Sequence, residues 1–413
     1  MAADEKNNIA SGIKNTIMHQ SLTRSKRIES IDLLRGLIMI IMALDHTRDF
    51  FHKDGLTGDP LDPETTTSIL YFTRWITHFC APTFVFLSGL SAWLQSQRKT
   101  KKELSIFLIS RGFWLIFVDL TIMSLGLTAN IHFSFFVLET LWSIGASMVI
   151  LGLVIRLPFN LILALGLLIF FGHNLLDFAE QARAGNVPVW WSLLHRVSIV
   201  PLWGNHSLFI FYPFLSWTGL MLLGYCCGKL FTDTSAERRK KILLTSGISA
   251  VLFFVALRWA NFYGDPRPWV EQKTGLKTFF AFMNVQKYPP SLLFLCATVG
   301  PGLIFLALAK NTGSKLVKII SVYGRVPFFY FIVHFYILHI ATAIVYLSRG
   351  HSIAEGMAGL PGLPFKFAMP GEGFSLPAVY GIWAAIVIIM YPLCKWYDNY
   401  KTNHKEKWWL SYL

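Results

Sequence analysis

The stretch LLRGLIMIIMALDHTRDFF, residues 33–51, decides the fold. Its centre, Leu37 to Leu44, is an unbroken apolar run suited to a membrane helix. Yet Arg35 precedes that run, and Asp45, His46, Arg48 and Asp49 follow it almost at once. Each ionisable group near the bilayer centre costs about 2.5–3.5 kcal/mol on insertion scales. A helix facing lipid gains nothing from them, whereas one that lines a polar interior can use them.

The rest of the chain supplies that interior. Of its 413 residues, 54% are hydrophobic and 15% are charged, against about 25% charged in a soluble domain. Crossing a bilayer takes about 20 apolar residues per helix. Ten runs reach that length: roughly 31–51, 69–95, 104–127, 133–155, 157–177, 207–229, 241–263, 290–309, 326–347 and 377–397. The expected fold is all-α, a polytopic membrane bundle of about ten transmembrane helices. Residues 31–397 form its one membrane domain, and 1–30 and 398–413 are cytoplasmic tails. The N-terminal thirty residues are polar, carry both signs of charge and have no apolar core, so they do not read as a cleaved signal peptide.

Positive charge sets the expected orientation. Lys6, Lys14, Arg24, Lys26 and Arg27 precede the first run, and Arg98, Lys99, Lys101 and Lys102 join the second and third. Arg156, the Arg238–Lys241 cluster, then Lys310, Lys315 and Lys318 occupy later alternate connections, and Lys401, Lys405 and Lys407 end the chain. The opposite set begins with 52–68, where one Lys faces Asp54, Asp59, Asp62 and Glu64. Both termini are therefore expected in the cytoplasm. The net charge of +14 follows from that topology and calls for no nucleic-acid partner, since no basic stripe is interleaved for phosphate tracking.

The five cysteines, Cys80, Cys226, Cys227, Cys296 and Cys394, all fall within the apolar runs, so no disulfide framework is expected. No Cys/His spacing suggests a metal site. The outer connections 52–68, 178–206, 264–289 and 348–376 are the long ones and carry Trp190, Trp191, Trp203 and Trp269. Those indoles suit either an interfacial belt or stacking against a flat acceptor such as a sugar ring.

Helical phase sharpens the opening stretch. Arg35 and His46 stand eleven residues apart, about 20° apart around the axis and about 16 Å apart along it. Asp32, Met39, Met42 and Asp49 share that face. Arg35 falls near the cytoplasmic surface and His46 towards the outer side. Local pairs of Asp45 with Arg48, or His46 with Asp49, would give the charges a purely structural role. Other runs bring company, however: Arg74 and His78, Arg111 and Asp119, Glu139, and His334 and His339. A cluster of ionisable groups from several helices suggests a reaction site or an ion path.

Arg35, ten intervening residues and His46, opened by Ile31-Asp32-Leu33-Leu34-Arg35-Gly36, resemble the first-helix motif of integral-membrane acyltransferases, including bacterial enzymes that O-acylate surface polysaccharide. The closer resemblance is to the heparan-alpha-glucosaminide N-acetyltransferase catalytic domain and its bacterial relatives. RIESIDLLRG (27–36), APTFVFLSG (81–89), WTGLMLLGY (217–225) and GRVPFFYFIVHFYILH (324–339) carry it across most of residues 27–400. It implies a multi-pass protein, in the inner membrane if the chain is bacterial, that takes acetyl groups from acetyl-CoA.

The resemblance also implies site residues. His46 becomes the active-site histidine and Arg35 its motif partner, with His52 a second histidine at the same helix end. His78 stands four residues before Pro82, where the heparan-type enzymes place an acid. Arg35 and Arg325 are the expected cofactor-binding residues, meeting the phosphates of acetyl-CoA near the inner surface. Asp45 and Asp49 are candidates to tune His46, whose imidazole could take a proton from an attacking hydroxyl or amine or accept the acetyl group itself. The expected partners are acetyl-CoA, an extracytoplasmic glycan or similar acceptor, and the lipid bilayer, with a homodimer left open and no metal. Two other classes stay on the page. A proton-coupled transporter would also use intramembrane Asp, His and Arg, although no internal repeat is evident. A non-catalytic scaffold would leave the polar stripe unexplained.

Overall fold

A computed structural model describes residues 28–181, 187–309, 313–360 and 364–412. Lys6, Lys14, Arg24, Lys26, Arg27 and Lys310, with most of the expected N-terminal tail, lie outside the described residues. The chain opens with α1 (Glu29–Phe51) and continues through α2 (Ser68–Ile76), a 3-10 turn (Thr77–Phe79) and α3 (Cys80–Ser96). Next come α4 (Lys101–Val118), a π-helical turn (Asp119–Met123), α5 (Ser124–Thr128), β1 (Phe135–Leu138), α6 (Thr140–Val154) and α7 (Phe159–Gly172). Short helices α8 (Leu175–Gln181) and α9 (Val189–Leu194) lead to β2 (Ser198–Pro201) and β3 (Ser207–Ile210). The remainder is α10 (Leu215–Gly228), α11 (Ala236–Ala260), α12 (Gly275–Met283), α13 (Leu292–Leu308), α14 (Lys315–Arg325), α15 (Pro327–Ser348), α16 (Ile353–Ala358) and α17 (Leu376–Asn403).

A helix stands at each of the ten apolar runs. Five stretches among the described residues are long and apolar enough to cross a membrane: Ser68–Ser96, Lys101–Thr128, α11, α15 and α17. The α7 and α8 pair would make a sixth, bent by 42°. α6 and α13 are apolar but shorter, and α10 has only 14 residues, about 21 Å of rise. Two runs were read too far as helix. The first residues of 133–155 and 207–229 instead form β1 and β3, which pair in parallel, with β2 antiparallel on the far edge of β3. A short apolar run rich in Phe, Ile and Val cannot be told from buried helix by periodicity alone.

α1 lies inside the bundle, packed against α3, α14, α15 and α17. Its ionisable face is thus taken away from lipid. The tightest crossings rest on paired glycines. A Cβ on Gly36 would stand 2.0 Å from the Ile320 carbonyl oxygen, and one on Gly324 would stand 1.9 Å from that of Asp32. Gly89 of α3 and Gly224 of α10 meet in the same way, at 2.0 Å from Met221 O and 2.1 Å from Phe86 O. Close backbone approach of this kind is how helices associate where no water drives them together. Pro327 then forces the break between α14 and α15, taking the first helical turn of α15, where its missing N–H costs nothing.

Connections gather at two ends of the bundle. At one end Lys101 Nζ reaches Arg156 O, and Trp93 Nε1 donates to Thr232 Oγ1. At the other, Lys53 N donates to Phe374 O, Lys366 N to Thr128 O, and Lys273 pairs with Glu64.

Candidate active site

His46, about three-quarters of the way along α1, meets α15. Its Nδ1 lies 2.8 Å from His334 Nε2, and His334 Nδ1 lies 2.9 Å from the carbonyl oxygen of Tyr330. The carbonyl can only accept, so His334 Nδ1 carries a proton. With that ring neutral, its Nε2 accepts, and His46 Nδ1–H must donate to it. The consequence falls on the other side of His46: its Nε2 keeps a lone pair and makes no hydrogen bond among the described residues. Phe335 packs against the His46 ring at 4.3 Å between centroids, limiting its rotation.

Asp45 belongs to a separate network. Arg74 Nη1 donates to Asp45 Oδ2 at 2.7 Å, Arg48 Nη2 stands 3.1 Å from Oδ1, and Lys287 Nζ approaches Oδ2 at 3.9 Å. Asp49 pairs with Arg48. Neither carboxylate is hydrogen-bonded to His46, so the group that orients the imidazole is His334. Lys287 is 9% exposed, and its ammonium makes no hydrogen bond among the described residues, although it stands over the Tyr288 ring. Arg258 holds the loop that presents Lys287, donating to the carbonyls of Arg267, Ala281, Phe282 and Asn284. In the same loop, Asp265 accepts from Gln286 N and Ser291 Oγ; burial raises its carboxyl above the ordinary value despite those bonds and Arg258.

Three cavities follow one another along α1. The outer one, about 540 Å³, is lined by Asp45, His46, Arg74, His78, Glu139 and Lys287 among others. The middle one, about 110 Å³, shares Asp45, His46, Tyr212 and Lys287 with it, and otherwise has mostly apolar walls such as Met39, Met42 and Phe84. The third, about 200 Å³, shares Ser88, Arg111, Met148, Pro327 and Phe328 with the middle one and holds four cations: Arg35, Arg111, Arg325 and Lys401. The start of α1 and the end of α17 thus line one cavity, on the same face of the molecule.

The expected residues divide accordingly. Arg35 and Arg325 come together in the cationic cavity, each with a structural duty as well. Arg35 donates to Gly324 O at 3.0 Å and Ser91 Oγ at 3.1 Å, and Arg325 pairs with Asp398 at 2.7 Å. His78, in the 3-10 turn, lines the outer cavity with a buried Nε2 that has no hydrogen-bond partner among the described residues. His52 lies apart, on a smaller pocket of about 370 Å³ that His46 does not line. Its Nδ1 accepts from Asp54 N, and burial pulls its imidazole below the ordinary value against the opposite pull of Asp54. His339 bridges the carbonyls of Gly126 and Lys366, and Asp119 Oδ2 caps α6 by accepting from Glu139 N and Trp142 N; both have structural duties. None of Trp190, Trp191, Trp203 and Trp269 lines the outer cavity, whose aromatic walls are phenylalanines and tyrosines such as Phe209, Phe211 and Tyr288.

Lys287 and Lys401 were not singled out for a site by sequence, and His334 was noted only as an intramembrane histidine. Nothing in the sequence pairs residue 46 with residue 334. His334 does, however, sit in the GRVPFFYFIVHFYILH stretch that carries part of the resemblance.

A family model described as heparan-alpha-glucosaminide N-acetyltransferase, catalytic, matches residues 27–263. No curated individual protein shows a significant match. The matched segment holds the whole of α1 with Arg35 and His46, together with His78, Arg111 and the Gly89 and Gly224 crossing. His334 and Lys287 lie beyond it. The match takes in more than half of the chain, and the protein therefore belongs to the heparan-alpha-glucosaminide N-acetyltransferase catalytic family, as a membrane acetyltransferase.

Proposed function

We propose that the protein moves an acetyl group from cytoplasmic acetyl-CoA to an extracytoplasmic acceptor, an amino or hydroxyl group of a glycan. One observation carries this reading: a cationic cavity and a histidine with a free lone pair lie about 16 Å apart along α1, joined by a narrow, largely apolar cavity whose lining residues both neighbours share. That layout matches the donor's chemistry, with a diphosphate at one end, a long thin arm and a thioester at the other. The cationic cavity is smaller than the ~300–1,000 Å³ that encloses a whole drug-sized ligand, so it suits the phosphates and leaves the adenosine outside.

In this reading the bundle of residues 31–397 crosses the membrane about ten times, and both termini face the cytoplasm. The shared cavity at the start of α1 and the end of α17 supports placing the termini on one side. Arg35, Arg111, Arg325 and Lys401 hold the donor's phosphates. His46 Nε2 takes the proton from the acceptor as its oxygen or nitrogen bonds to the acetyl carbon. Lys287 offers its ammonium to the oxyanion that forms there. When the C–S bond breaks, the His46 imidazolium returns the proton to the departing sulfur. His334 holds the imidazole in the tautomer that leaves Nε2 open. The same lone pair could instead accept the acetyl group, and labelled acetyl-CoA without acceptor separates the routes by leaving label on His46.

The test uses the full chain in vesicles loaded with acetyl-CoA on the cytoplasmic face. Acetyl transfer across the bilayer is expected, and His46→Ala should abolish it with the fold intact. Retained transfer in that variant would overturn the assignment of His46. Absence of any thioester turnover in the wild type would favour the transporter class.

A further inference from the structure

At the outer end of the bundle, far in sequence from α1, a second polar cluster has no part in the proposed reaction. Asp177 and Glu180 stand one helical turn apart on α8, and His195 follows α9. His195 is 0% exposed. Its Nδ1 lies 3.1 Å from Glu180 Oε1, and Trp191 Nε1 fixes the same oxygen at 2.7 Å. Asn174 Nδ2 donates to the outer oxygen of Asp177, Oδ2, at 2.6 Å. Both carboxylates are therefore held from behind by neutral donors.

The remaining pair is the anomaly. Glu180 accepts, so His195 Nδ1 carries the proton and Nε2 presents a lone pair. That Nε2 is buried with no hydrogen-bond partner among the described residues, and it faces Asp177 Oδ1 at 3.9 Å. Two electron pairs thus confront each other inside the protein. A second proton on His195 would draw the atoms to a hydrogen bond of about 2.7–3.2 Å. A metal ion with bonds of about 2.0–2.2 Å to imidazole and carboxylate in a tetrahedral shell would hold the two atoms about 3.4 Å apart, a modest contraction from the present gap. Ligand atoms from Asp177, Glu180 and His195 all lie within 4.8 Å of one another.

We infer that His195 Nε2 and Asp177 Oδ1, with Glu180 behind the imidazole, form a binding site for a divalent transition-metal ion of the zinc class, whose remaining positions water fills. Imidazole with carboxylate oxygens suits that class better than an all-oxygen set would, which favours magnesium or calcium. Glu180 serves the histidine as the orienting carboxylate that metal-bound imidazoles commonly have. The ion ties α8 to α9, and the neighbouring Asn174 and His173 bind Leu292 N and Pro290 O at the start of α13. The site is a clip on the outer loops, and its existence does not depend on the acetyl-transfer reading.

The experiment takes the untagged full chain in nanodiscs, strips it with chelator, dialyses it against Zn²⁺ and measures bound metal and thermal stability. About one Zn²⁺ per chain is expected from a single mixed His/carboxylate site, with a raised melting temperature. His195→Ala and the near-isosteric Asp177→Asn should lose both, and Glu180→Gln should weaken binding about 10–100-fold. Equal metal retention in wild type and variants would overturn the site. So would a wild type that binds no Zn²⁺ and is stabilised only by acid, which would make His195 an imidazolium between two carboxylates.

Discussion

His334→Ala isolates the step on which the proposed chemistry depends. The substitution removes the acceptor 2.8 Å from His46 Nδ1 in a position that is fully buried. A buried donor left without a partner costs about 1–3 kcal/mol. In the wild type that amount favours the tautomer with a proton on Nδ1 and a lone pair on Nε2. Without His334 the imidazole has no reason to keep it, and the open Nε2 becomes a minor form. At about 1.36 kcal/mol per tenfold in rate, the loss in kcat should be about 5- to 150-fold. The cationic cavity is untouched, so KM for acetyl-CoA should change by less than about twofold, well under 1 kcal/mol.

The assay is thiol release from acetyl-CoA by the full chain in nanodiscs, with water or an added amine as acceptor, alongside a thermal melt. His334→Gln supplies an amide oxygen able to accept from His46 Nδ1–H and should recover most of the lost kcat. A merely structural role would lower the melting temperature in both variants with no rescue of turnover. The reasoning is refuted if His334→Ala keeps kcat within twofold of wild type, or if Gln is no better than Ala.

Other consequences follow from the same geometry. Arg325→Met should raise KM for acetyl-CoA about tenfold, roughly the 1.5 kcal/mol of one charge-assisted hydrogen bond, with kcat nearly unchanged; an unaltered KM would leave Arg325 only its pairing with Asp398. Lys287→Met keeps the stem but removes the ammonium, and kcat should fall about 10²–10³-fold, as for other oxyanion donors, without a matching rise in KM. Gly324→Val drives a side chain into the Asp32 carbonyl, and overpacking of at least about 1–3 kcal/mol should show as a lowered melting temperature or loss of monodisperse protein. Asp119→Ala strips two half-buried N–H groups at the start of α6 of their acceptor, for up to about 1–3 kcal/mol each, and should destabilise the fold while leaving KM alone.

Much of this was legible from sequence, for identifiable reasons. A helix at each of the ten apolar runs follows from hydropathy, since apolar backbone must satisfy its own hydrogen bonds, while five stretches among the described residues are long and apolar enough to span. The Arg35 to His46 stripe follows from helical phase. The strands were missed because FFVL and SLFI look like the start of the apolar helices that follow them. The quoted motifs were recognised without their cause. Gly36 with Gly324, and Gly89 with Gly224, turn four separate stretches into two backbone crossings, a relation between residues up to 288 apart that no local pattern reports. Lys287 left no signal at all. It is one lysine in the connection between α12 and α13, and Arg258, gathering the carbonyls of Arg267, Ala281, Phe282 and Asn284, anchors the segment that brings it within 3.9 Å of Asp45.

The His46 and His334 pair also bears on how the proposed reaction must end. In a carboxylate–histidine arrangement, the acid both fixes the tautomer and stabilises the imidazolium. Here the fixing is done by a neutral ring whose own proton is held by the Tyr330 carbonyl. Asp45, the carboxylate next to His46 in sequence, is already engaged by Arg74 and Arg48 and approached by Lys287. An imidazolium at residue 46 therefore forms without a carboxylate of its own to pair with. Such a site works best when the proton on His46 is passed on as the C–S bond breaks, to a thiolate formed within reach of the same nitrogen. The arrangement favours a base that is briefly protonated over one that stores its charge, and it keeps the buried arginines paired throughout the cycle.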